Sequence, residues 1–203
     1  MPSSDQSILQ GLRNNIAGNA ELTMGLLEPI LPEVQQAADA ITQCFLKDGK
    51  LITAGVAANT AVADYCAAIF ADRLERERPG LPAIALSSNS VIGQSIAHTI
   101  SQHEVTARQL RSIALPNDCL LMYGPGSDSA AAVQAISAAH DRDITIVAVT
   151  GLGDRDLSAL LMPEDIELHI ETISVTRLIE AQILISHCLC EAVETYLFGL
   201  ETS

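Results

Sequence analysis

The sequence predicts an α/β fold, a three-layer α/β/α sandwich around one five-stranded parallel sheet. Five short apolar segments alternate with stretches of helical periodicity, most of them ten residues or longer. Four of the five are continuous apolar runs rather than period-two alternations, so both faces of the sheet must be covered. No Ser/Gly-rich run, charge block or low-complexity stretch interrupts the 203 residues. A single domain is therefore expected over 1–203, with a helical N-terminal segment to residue 48 and the sheet-bearing core from 49 onward.

The elements follow in order. Apolar residues at helical spacing predict helices over Ser7–Glu21 and Pro32–Lys47, with Pro29 and Pro32 between them. Asp48-Gly49 closes the second, and Lys50–Gly55 is a buried strand ending in glycine. A helix is expected over Thr60–Glu77, stopped by Pro79-Gly80. Ala83–Ser87 is the next strand, and Ser88-Asn89-Ser90 can cap the helix after it. A further helix covers His103–Ile113 before the strand Cys119–Tyr123. Ser129–Asp141 is helical, Ile144–Thr150 is the clearest strand, and Asp156–Met162 makes a short helix. The strand Asp165–Ile170 and the long helix Thr176–Phe198 end the fold. In such sheets ligand loops open at the carboxyl ends of strands, here at Gly55, Ser87, Tyr123 and Thr150.

Composition excludes several functions. With 11 basic against 25 acidic side chains and no Lys/Arg cluster, direct nucleic-acid binding is disfavoured. The most apolar stretch, Ala181–Val193, is broken by Ser186, His187 and Glu191, so no membrane span is expected. The five cysteines (Cys44, Cys66, Cys119, Cys188 and Cys190) sit in apolar surroundings, form no CxxC and follow no signal-like N-terminus. Reduced, buried thiols in a cytoplasmic protein are the expectation. Aromatic residues are scarce and aliphatic content is high, which points to an oligomer that buries apolar faces.

The segments Gly55–Phe70 (GVAANTAVADYCAAIF), Arg73–Leu86 (RLERERPGLPAIAL), Glu104-Val105 with Arg108-Gln109, Thr145–Gly151 (TIVAVTG), Pro163-Glu164-Asp165 and Arg177–Glu191 carry a family resemblance. In order and spacing, over about residues 5–198, they resemble the sugar-isomerase (SIS) family near phosphoheptose isomerase. A subgroup, the initiator-associating proteins that bind the replication initiator DnaA, is similar in the same scaffold segments. The resemblance implies a homotetramer with N-terminal helices at the subunit interface, and a possible sugar-derivative ligand.

It also implies an altered site. The family's His and Glu, four apart on the first core helix, fall on Tyr65 and Ile69; its Gln falls on Ile179, and its second His is kept as His187. Ile69 cannot remove a proton beside a carbonyl, and one His cannot hold a catalytic zinc. Cys66 and Cys188 read as core thiols rather than ligands, so no metal or other cofactor is expected. His187 is the catalytic candidate, although its apolar helix better suits a packed interface histidine.

The glycine-rich loop keeps Gly55, and Asn59 or Thr60 can cap the following helix. The family's S-T-S-G-N-S phosphate loop reads Gly124-Pro125-Gly126-Ser127-Asp128-Ser129, losing three hydroxyls, while Asp128 adds charge where an anion would sit. Ser87, Ser88, Ser127 and Ser129 are the remaining ligand-binding donors, with Gly55 and Asn59 beside them. Arg155 reads as a solvated loop arginine, and His98-Thr99 replaces an Asn-Asp pair. The expectation is a non-catalytic, protein-binding module of the initiator-associating type, without isomerase turnover. The alternatives are a phosphosugar isomerase of the sedoheptulose 7-phosphate type, rebuilt around His98, His187, Glu180 or Asp64, and a sugar-derivative sensor.

Overall fold

Apolar runs of four to seven residues that are covered on both faces can satisfy their backbone only in a sheet between two helix layers. The computed structural model describes residues 4–26, 28–86 and 90–200, and among them forms that architecture. The strands are β1 (Leu51–Gly55), β2 (Ala83–Leu86), β3 (Cys119–Tyr123), β4 (Thr145–Gly151) and β5 (Ile166–Ile170). They lie in the order β2-β1-β3-β4-β5, and every pair is parallel. Leu51 stands beside Cys119, Cys119 beside Thr145, and Val147 beside Ile166.

Alternate residues feed two cores. Leu121, Tyr123, Val147, Val149 and Leu168 pack on α2 (Leu31–Leu46), α3 (Asn59–Ala71) and α8 (Val175–Phe198). Ile52, Ala54, Leu120, Met122, Ile146 and Ala148 pack on α5 (Val105–Ile113) and α6 (Ala130–His140). The α6 face is Ile136 with Ala132, Ala135 and Ala139, whose small side chains bring the helix close to the sheet. Thr53, buried in β1, donates its hydroxyl to the Ala63 carbonyl at 2.8 Å and leaves no orphan polar group. The edge strands depart from continuous burial: Ile84 of β2 is exposed, and β5 turns Glu167 and His169 outward.

α1 (Ser4–Leu26) runs beyond its expected ends, and α4 (Val91–Thr99) is capped by Ser90, whose hydroxyl accepts the Gly93 N–H at 3.0 Å. α7 (Arg155–Ser158) is a single turn, shorter than expected. Cys188 is exposed, against the expectation that every thiol is buried, while Cys44, Cys66, Cys119 and Cys190 are interior. Among the described residues no helix is long and apolar enough to cross a membrane.

The largest departure is α3, which stops at Ala71 rather than Glu77. Arg78 is the cause. Its guanidinium donates to the carbonyls of Ile69 (2.8 Å), Phe70 (2.9 Å) and Asp72 (3.0 Å) at the helix end, where carbonyls lack intrahelical partners. It also pairs with Glu194 of α8 at 2.6 Å, with side chains only 1% and 6% exposed. The chain after Ala71 must fold back to deliver this arginine, so helical propensity over 72–77 is overruled.

Breaking one side of a buried pair leaves the other charge uncompensated. Arg78→Met is therefore expected to cost about 3–5 kcal/mol in chemical denaturation. The double variant Arg78→Met/Glu194→Met should cost less than the two single losses added together.

Candidate functional site

In the order β2-β1-β3, the chain leaves β1 toward one edge and β3 toward the other. The loops after Gly55 and Tyr123 therefore diverge and open a crevice at the carboxyl edge. A Cβ on Gly55 would lie 2.3 Å from the Asn59 carbonyl oxygen, so only glycine lets β1 pass this close to α3. The expected side-chain cap is not made: Ala58 stands at the cap position, and Thr60 donates its hydroxyl to the Gly55 carbonyl at 3.3 Å.

Asn59 is buried and its amide is spent within the protein. It donates to the Gly124 carbonyl at 3.0 Å and to the Gln182 side-chain carbonyl at 2.6 Å. Gln182, wholly buried in α8, donates to the same Gly124 carbonyl at 2.8 Å. Three elements thus meet at one oxygen. Asn59 is a tie between loops rather than the free ligand donor expected of it.

The β3 loop holds a second tie. Asp154, 1% exposed, accepts the N–H groups of Gly126 (2.8 Å) and Ser127 (3.2 Å) on one carboxylate oxygen and that of Gly151 (2.8 Å) on the other. Burial pushes this carboxyl above its ordinary value; the three N–H groups oppose that rise and neighbouring Asp128 adds to it. Gly126 sits at φ 77°, where glycine is favoured. Gly124 faces the carboxylate so closely that a Cβ would lie 2.4 Å from Asp154 Oδ2. A side chain at 124 therefore has no room beside Asp154.

The other expected donors divide. Ser129 caps α6, accepting the Ala132 N–H at 3.4 Å, so its hydroxyl is partly committed. Ser127 is exposed at the loop tip. Ser87 and Ser88 lie outside the described residues. Asp128 accepts from Arg155 at 3.3 Å and from the Asp156 N–H at 3.2 Å, so Arg155 forms an ion pair, though its side chain stays 81% exposed. His98 lies exposed on α4, Asp64 is exposed on α3, and Glu180 pairs with Arg177 at 2.7 Å, so the structure gathers none of them around His187.

One pairing does form between α3 and α8. The Tyr65 hydroxyl and His187 Nε2 lie 2.7 Å apart, with the rings edge to face at 5.6 Å. They border a depression of about 630 Å³ together with Arg76, Glu191 and Thr195. Ile69 is buried and Ile179 packs against the core, so neither offers a metal ligand or a base. Burial also pushes the Cys66 thiol up to about 11 and raises Cys188, which opposes thiolate ligation. Among the described residues no three or more His, Cys, Asp or Glu side chains are grouped to hold a metal. The residues present do not fit the metal that the family resemblance implies.

The SIS domain family model matches residues 20–151. The chain belongs to the SIS-domain family. It is 37% identical over 172 residues to the phosphoheptose isomerase of Chromohalobacter salexigens, covering 85% of this chain and 87% of that one. It is 34% identical over 188 residues to the phosphoheptose isomerase of Methylococcus capsulatus, covering 93% and 96%. The solved phosphoheptose isomerase of Francisella tularensis superposes with a TM-score of 0.87 at 26% identity, over 92% of this chain and 98% of that one. These relatives overturn the expectation of a non-catalytic module of the initiator-associating type: isomerases share the scaffold along nearly its whole length.

Restoring serines to the β3 loop of this SIS-domain protein would collide with Asp154. Gly124→Ser alone is expected to cost about 1–3 kcal/mol in thermal or chemical unfolding. In an Asp154→Ala background the same substitution should cost less, and equal costs in the two backgrounds would show that the clash is relieved elsewhere.

Proposed function

We propose that this SIS-domain protein is an aldose–ketose isomerase of phosphosugars, acting on sedoheptulose 7-phosphate or a ketose phosphate of similar length through a rebuilt acid–base pair. The observation that carries the reading is the 2.7 Å contact between Tyr65 and His187, set beside relatives that are phosphoheptose isomerases.

The reaction requires a base to take the proton from the carbon next to the carbonyl. An enediol forms, and the proton returns to the neighbouring carbon while a hydroxyl proton moves between the two oxygens. In the tautomer that donates Nε2–H to the phenolic oxygen, His187 has Nδ1 as its acceptor. Tyr65 then fixes the ring and its tautomer, as a carboxylate does for many catalytic histidines. At the carboxyl edge the exposed Ser127 hydroxyl and the positive end of α6 receive an anionic end of the ligand, since Asp154 already holds the Gly126 and Ser127 N–H groups. No step of this scheme needs Ile69 or Ile179.

We also propose that the protein assembles as a homo-oligomer, a tetramer by family resemblance, and works in the cytoplasm. On α1, Ile8, Leu9, Leu12 and Ile16 are each more than half exposed, an apolar stripe a lone chain would leave in water. Sedimentation as a single monomer at micromolar concentration would contradict this.

Purified protein incubated with sedoheptulose 7-phosphate should convert it to the isomeric aldose phosphate. His187→Ala should lower kcat by about 10²–10⁴-fold, and Tyr65→Phe by less. Absence of conversion, with or without added zinc, would sink the reading.

A further inference from the structure

Isomerisation of a ketose moves two protons, and His187 oriented by Tyr65 carries only the one on carbon. The hydroxyl proton must pass from one oxygen to its neighbour through a group that both accepts and donates. That group has to border the same depression of about 630 Å³. The polar lining narrows the choice. Arg76 donates to the Phe198 and Gly199 carbonyls, and a guanidinium has no acceptor. Glu194 is buried and paired with Arg78. The Thr195 hydroxyl is no stronger a base than the sugar hydroxyl it would have to deprotonate. Glu75 lies on the irregular segment after α3. Glu191 stands on α8, one turn beyond His187. Its side chain is exposed and enters no ion pair among the described residues.

We propose that Glu191 is the second proton carrier of the site, moving the hydroxyl proton from the C1 oxygen to the C2 oxygen while His187 moves a proton from C1 to C2. The inference rests on the isomerase reading and deepens it. Residues four apart on a helix share one face, with Cβ atoms about 5–6 Å apart. Imidazole and carboxylate therefore approach a ligand from the same side, and adjacent carbons of one sugar can lie against both. The steps balance. His187 Nδ1 takes a proton from C1, the C–H pair forms the C1=C2 bond, and the carbonyl pair moves onto the C2 oxygen. Glu191 takes the proton of the C1 hydroxyl and delivers it to the C2 oxygen. The C1 oxygen then closes its carbonyl, and the C1=C2 pair takes the proton from His187 at C2. Both side chains end as they began.

The two proton transfers can be read separately with sedoheptulose 7-phosphate in deuterium oxide. Deuterium entering C1 of the remaining ketose reports the carbon step, and aldose formation reports both. A glutamine at 191 can still donate to the C2 oxygen as it gains charge, but it cannot accept the hydroxyl proton. Glu191→Gln, shown to be folded by its unfolding transition, should lose about 10²–10⁴-fold in conversion. Its exchange should fall far less, raising the ratio of exchange to conversion about tenfold or more above the parent. Glu75→Gln removes the other exposed carboxylate of the depression and should leave that ratio unchanged. Conversion kept in Glu191→Gln, exchange and conversion lost in equal proportion, or a ratio that moves in Glu75→Gln instead would overturn the proposal. In each of those cases the parent still turns over and the isomerase reading stands. A parent that neither exchanges nor converts would sink that reading and this proposal with it.

Discussion

One carbonyl oxygen organises the crevice. Gly124 O accepts amide N–H bonds from Asn59 on α3 and Gln182 on α8, and these two side chains also bond to each other. The three positions come from distant parts of the chain, Asn59 and Gln182 being 123 positions apart. Because the cluster is buried, losing any member would leave amide groups unpaired in a dry site. It also fixes how α3 and α8 lie against each other. Tyr65 follows Asn59 on α3 and His187 follows Gln182 on α8, so the junction at Gly124 sets the approach of the phenol and the imidazole. Ser186, beside His187, is held in turn by the buried Tyr123 hydroxyl at 2.6 Å. The pair proposed for proton transfer thus rests on a rigid base.

Asp154 acts on the other side of the same loop. Where Asn59 and Gln182 hold the Gly124 carbonyl, Asp154 holds the following N–H groups. Acceptor and donors of one tight turn are all satisfied from within the chain. The glycines at 124 and 126 follow from this, one through the closeness of the carboxylate and the other through its positive φ. A loop that had seemed merely stripped of hydroxyls is a closed one, with its own anion in place.

Much of the fold was legible in the sequence because parallel strands buried on both faces write long apolar runs. β3 fell on Cys119–Tyr123 as expected, and β1, β4 and β5 within a residue at each end. What was illegible depended on partners far along the chain. The end of α3 is set by Arg78 reaching Glu194, which no local pattern over 72–77 announces. Gln182 has no local motif around it, although a lone amide in an apolar helix is a signal that a buried partner is waiting. Asp154, an acid in a glycine-bearing loop after a strand, was a similar signal. The expectation of a non-catalytic module rests on replaced residues; the phosphoheptose isomerase relatives overturn it, and Tyr65, standing where the family resemblance implies a histidine, lies in hydrogen-bonding contact with His187.

The step proposed is a proton transfer on the sugar by His187, oriented by Tyr65. Its most direct measurement is hydrogen exchange at carbon, with sedoheptulose 7-phosphate and the protein in deuterium oxide, followed by NMR. The account predicts that deuterium enters the carbon beside the carbonyl, and that His187→Ala, shown to be folded by its unfolding transition, stops it. Exchange that persists unchanged in His187→Ala, or no exchange with the parent, would contradict it.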